Sequence, residues 1–87
     1  MHELSIALSL IDAVCEELPK VGQNVLVRAV HVRVGPLSGV VPRALAFAFE
    51  VAADGSPLAG ARLEIEQTDG RELELAAVEV VDEPSNS

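Results

Sequence analysis

The sequence has one cysteine, no tryptophan, no tyrosine, and six basic residues against fourteen acids. Each shortage excludes something. Cys15 alone cannot close an intrachain disulfide, and without a CxxC pair there is no zinc finger or zinc ribbon of the usual kind. A formal net charge of -8 argues against nucleic acid, whose phosphates select basic surfaces, and against anionic membrane faces. The same charge is compatible with a cation or a basic partner. No apolar run reaches the length of a membrane span. The head of the chain lacks the basic stretch of a secretory signal, and Asp12 interrupts its apolar residues. A single thiol suits a reducing compartment, so the expectation is a cytoplasmic protein with Cys15 as a small buried hydrophobe. Two histidines, one thiol and serines without partner motifs give no nucleophile–base pair, so an enzyme is not expected.

What is present is aliphatic. Apolar residues make up 49% of 87 positions and only two are aromatic, Phe47 and Phe49. That is enough for one small domain over residues 1–87 with a core of Leu, Val, Ile and Ala. Residues 3–18 have helical spacing: Leu4, Leu8, Ile11, Cys15 and Leu18 form a stripe, widened by Ala7, Leu10 and Val14, and Pro19 is expected to stop the helix. Residues 25–34 are rich in β-branched side chains and predict a strand. Val30, Val32 and Val34 share one parity, Val25 and Val27 the other, so a bulge or a doubly buried stretch is expected near Arg28.

Gly35-Pro36-Leu37-Ser38-Gly39 is a turn by composition, and Pro42 suits the first position of a second helix, because its missing N–H costs nothing there. Leu45, Ala48, Phe49 and Ala52 form that helix's packing stripe, and Gly55 is placed to end it in a left-handed conformation. Phe47 and Phe49 are about 200° apart around the helix, so Phe49 belongs to the core stripe and Phe47 is the candidate for an exposed contact. Ala61, Leu63 and Ile65 alternate with Arg62, Glu64 and Glu66, and the pattern resumes after Thr68-Asp69-Gly70-Arg71 with Leu73, Leu75 and Ala77 on one face. Asp-Gly between two alternating runs predicts a hairpin. The expected fold is α+β, in the order α-β-α-β-β: a three-stranded, mostly antiparallel sheet with the third strand in the middle and two helices on one face. Strands one and two, joined through a helix, should run parallel.

The chemistry-bearing stretch is the head, Met1-His2-Glu3. The Met1 amine, the amides of His2 and Glu3 and the His2 imidazole lie within a few bonds of one another. Nitrogen donors so arranged can form fused chelate rings, and near-planar nitrogen sites favour nickel(II) or copper(II) over zinc. The bland alternative is also open, since a carboxylate such as Glu3 simply suits the positive end of a helix dipole. His31 falls on the strand's outward parity and reads as a solvent-facing residue rather than a ligand.

Several stretches resemble one family. The Met1-His2-Glu3-Leu4-Ser5 head, the run from Val30 to Val40, Ala46-Phe47-Ala48-Phe49-Glu50, Gly60-Ala61-Arg62-Leu63-Glu64-Ile65 and the closing Gly70-Arg71-Glu72-Leu73 together are similar to the HypA/HybF nickel-insertion proteins of NiFe-hydrogenase maturation. The resemblance implies a metallochaperone that holds Ni(II) at Met1, His2 and Glu3. It implies transfer to a HypB-type GTPase and the hydrogenase large subunit, with no nucleic acid or membrane partner. The alternative is a docking module of the maturation machinery without productive metal handling. A monomer or weak homodimer is expected. That family also carries a zinc domain with two CxxC-type pairs between its second and third strands. Here a short turn near residues 67–71 occupies that position, so no zinc is expected, whether the loss is natural or a deletion closed by a tight turn.

Overall fold

The structure, a computed structural model, describes residues 3–21 and 25–82. Helix α1 spans Glu3–Val21, strand β1 Val25–Val34, helix α2 Pro42–Ala53, strand β2 Arg62–Gln67 and strand β3 Leu73–Asp82, with a 3-10 turn at Pro36–Ser38. The class and the order of elements are as the sequence predicts. Helix α1 runs past Pro19, which lies in its last turn. The ring's fixed φ is compatible with a helix, and the lost bond to the Cys15 carbonyl and the crowding there fall close to the helix end, where few residues follow.

The strand order differs from the expectation. It is β2-β1-β3, with β1 central, parallel to β2 and antiparallel to β3. The sheet is therefore mixed, and β2 and β3 do not form a hairpin. Strand β1 takes the centre because it carries the most apolar surface: Val27, Ala29, Val30, Val32 and Val34 are all buried. A central strand satisfies both rows of backbone groups and covers most of its side chains, whereas an edge position would waste that burial. Residues 68–72 then have to step across β1, a gap of about 10 Å at two strand spacings. They do so hydrogen-bonded to the end of β1: Thr68 N donates to Val34 O at 3.1 Å, Gly35 N to Glu72 O at 2.8 Å and Leu37 N to Gly70 O at 2.9 Å.

Two register shifts punctuate the β1–β3 pairing. One falls between Val27 and Ala29, leaving Arg28 as the extra residue, where the parity of β1 changes as predicted. The other falls opposite His31 and Val32, where β3 carries Ala76 as its extra residue. A one-residue bulge flips every later side chain. Hence Leu75, Val78 and Val80 pack towards the core, while Ala77, predicted to share the face of Leu75, is exposed.

One core fills the space between the helices and one sheet face. Ala7, Leu10, Ile11 and Val14 of α1 and Leu45, Ala48, Phe49 and Ala53 of α2 meet Val30, Val32 and Val34 of β1. Gly55, with φ of 82°, turns the chain after α2 as expected of a left-handed glycine. The opposite sheet face is charged. Arg33 lies between Glu66 on β2, at 3.6 Å, and Glu74 on β3, at 3.2 Å. Glu79 receives His31 at 3.5 Å and Arg28 at 3.7 Å.

Candidate metal centre

The head of the chain is positioned by what lies behind it. Glu3 is the first residue of α1 and is half-buried, so its carboxylate sits in the first turn where the helix dipole favours negative charge. Met1 and His2, the other two predicted ligands, lie outside the described residues. Four residues further along, Ala7 is fully buried, followed by Leu10, Ile11 and Val14. The helix is thus fixed to the core from its second turn onwards.

The predicted stripe was rotated. Leu4 and Leu8 stand on its flank and remain 50% and 48% exposed, while Ala7 and Val14 are completely buried. The two leucines are one turn apart and form an apolar rung beside the head. Cys15 is half-buried against the core rather than fully enclosed, and it is a free thiol. Of the two phenylalanines, Phe49 is fully buried and Phe47 is 70% exposed, as their angular separation predicts.

His31 is on β1 between Val30 and Val32, which face the helices, so its imidazole projects from the opposite, open side of the sheet. Its register neighbours are Glu64 and Ala77, and its Nε2 approaches Glu79. The sheet therefore separates it from α1 and its Glu3. Among the described residues no three His, Cys, Asp or Glu side chains are grouped closely enough to hold a metal ion.

The link 68–72 has a local electrostatic feature of its own. The Thr68 hydroxyl donates to Glu72 Oε1 at 2.7 Å. That hydrogen bond, with backbone donors at Glu72 and Gly70 and the charge of Arg33, holds the Glu72 carboxyl below the usual carboxylate range. The link approaches β1 so closely that a Cβ on Gly35 would collide with the Gly70 carbonyl. Gly35 is thus required by close approach, a role that composition marked only as a turn residue.

A family model described as "Hydrogenase/urease nickel incorporation, metallochaperone, hypA" matches residues 1–80. The hydrogenase maturation factor HypA of Thermomicrobium roseum is 43% identical over 90 residues, covering 94% of this chain and 68% of that protein. HypA of Deinococcus radiodurans is 54% identical over 70 residues, covering 80% of this chain and 58% of the relative. For HypA of Streptomyces avermitilis the identity is 46% over 71 residues, with 82% and 54% covered. The chain thus spans about half to two thirds of the length of these relatives. No helix among the described residues is long and apolar enough to cross a membrane.

Proposed function

The chain belongs to the HypA family, and from that premise we propose that it is a nickel-binding metallochaperone domain that holds Ni(II) at Met1, His2 and Glu3 and passes it to a partner. The observation that carries this reading is the family match beginning at Met1, joined to a helix that opens at Glu3 and is locked into the core within two turns. Nickel is cargo here, so the site needs release as much as affinity. An open, terminal donor set suits that, because ligands can be exchanged one at a time with an incoming protein. Donor nitrogens must be deprotonated to bind, so occupancy should fall with pH. The proposed recipients are a HypB-type GTPase and the hydrogenase large subunit. The chain is proposed to act as an accessory protein without catalysis of its own, as a monomer or weak homodimer.

We further infer that the five-residue link 68–72 stands where relatives carry a zinc domain, and that the domain keeps its fold without zinc. The three backbone hydrogen bonds that tie the link to β1 and the following turn support this. A second reading, a docking module without productive metal handling, draws on the exposed Leu4 and Leu8 beside the head and on Phe47. Nickel titration of the untagged chain separates the two, following the absorption of a planar nickel–nitrogen complex. One equivalent bound by the native chain, and none by His2→Ala or by a chain extended at its N-terminus, is expected. Equal stoichiometry in all three would overturn the metal-site reading, and the docking module would take its place.

A further inference from the structure

Among the described residues both outer edges of the sheet are unpaired, and they are unequal. Strand β3 pairs with β1 through two register shifts, and an irregular edge makes a poor template for another strand. Strand β2 pairs with β1 in unbroken register from Arg62 to Gln67, which leaves its outer backbone groups evenly spaced. Beside that regular edge, between β2 and α2, lies a groove of about 460 Å³. Its floor and walls are small: Ala46 and Ala53 from α2, and Gly60 and Ala61 at the start of the strand. Small residues there leave room for side chains that are not this chain's own. Leu63 and Ile65, which point to the core side of β2, are only partly buried, so that layer is incomplete at this margin.

The charges at the groove have one sign to spare. Arg62 Nε and Glu64 Oε1 pair with each other at 3.7 Å on the open face of the sheet, so the charge left at the groove is Glu50 on α2, which is exposed and, among the described residues, has no ion-pair partner. A second copy of this chain is a poor occupant. Its own β2 edge offers two glutamates, Glu64 and Glu66, against one arginine, Arg62, in a chain of formal net charge -8.

We propose that the β2 edge and the groove under α2 receive an extended, basic segment of a partner protein. It would add as a fourth strand outside β2. Its small or aliphatic side chains would lie against Ala46 and Leu63, and a Lys or Arg would reach Glu50. Main-chain bonds would give affinity and the alternate side chains selectivity, as in strand addition generally. The site is on a different element from the head of α1 and needs no metal, so it stands or falls separately from the nickel reading.

The test uses the metal-free, isotopically labelled chain and a capped hexapeptide of alternating valine and lysine, with hydrogen exchange read residue by residue. Added protection of outward amides within 62–67 is expected at peptide concentrations of about 1 mM or below. Glu50→Lys, which replaces one exposed attraction with a repulsion, should weaken binding about three- to tenfold. Ala46→Phe should block the groove while the far-ultraviolet spectrum stays unchanged. The same peptide with glutamate for lysine should not bind. Protection along Leu73–Asp82 instead, equal binding of the acidic peptide, native-like affinity in Glu50→Lys, or no protection at all would overturn the proposal. So would a peptide-free homodimer that protects residues 62–67, because it would make a second copy the occupant.

Discussion

The two faces of the sheet are built from the same strands, residue by residue in alternation, yet they are held by different physics. On the helix side Val30, Val32 and Val34 are buried to 2% exposure or less, together with Phe49 and Leu45. On the open side Arg33 lies between Glu66 and Glu74, Arg62 beside Glu64 and His31 beside Glu79, at 3.2–3.7 Å and within reach of solvent. The first face loses apolar surface to a dry interior, which is worth roughly 25 cal/mol per Å². The second exchanges hydration for Coulomb attraction in water, where each pair is worth about 1 kcal/mol or less. The fold therefore rests on one face, which leaves the other free to vary in charge without endangering it.

That contrast can be broken most severely at Phe49. Phe49→Ala removes the largest fully buried side chain and should cost about 3–5 kcal/mol in urea unfolding. A loss under 1 kcal/mol would mean that the core closes elsewhere. The next largest effect is expected where the link touches the end of β1. Gly35→Ala drives a Cβ into the Gly70 carbonyl, and forced displacement of this kind costs about 1–3 kcal/mol. A neutral result would show that residues 68–72 swing aside freely and are not held against the end of β1.

On the open face the same measurement should barely move. Arg33→Ala deletes the cation between Glu66 and Glu74, and about 1 kcal/mol or less is at stake. A greater loss, surviving high salt, would put the open face on a par with the core and abolish the comparison. The smallest effect belongs to Glu72. Its carboxyl is held low in the folded state, first by the Thr68 hydroxyl. Its contribution is therefore present above the unfolded carboxylate range and disappears as pH falls through the folded value. Melting temperature followed from about pH 6 down to about pH 3 should fall slightly less steeply in Thr68→Val than in the native chain. Parallel curves would detach Glu72 from the acid response.

Much of this was legible beforehand, and the misses share a cause. The start of α2 at Pro42, the turn at Gly55, the inward Leu63 and Ile65, and the division of labour between Phe47 and Phe49 all follow from local geometry. So does the parity change at Arg28, because an alternation cannot switch without an extra residue. The Asp69-Gly70 pair was a sound local signal for a hairpin, and it was overruled by distant residues. Strand β1 holds the most buried side chains, and the chain gains more by placing it between β2 and β3 than by pairing those two directly. Leu4 and Leu8 were misassigned for a related reason. Their spacing fits a stripe, but which arc of an apolar helix turns inward depends on what it meets. At the head, Met1 and His2 carried the functional reading by residue type and order alone. The groove under α2 could not have been found that way, since Ala46, Glu50 and Gly60 become neighbours only through folding.

The sequence by itself determined the secondary elements, their order and the parallel relation of β1 and β2 through α2, because each depends on spacing along the chain. Only the tertiary structure decided which strand lies in the middle, that residues 68–72 cross the end of β1, which flank of α1 stays exposed, and that β2 is left as a regular edge. These are outcomes of competition among residues far apart in sequence for the same buried space and the same backbone partners, and no local pattern records who wins.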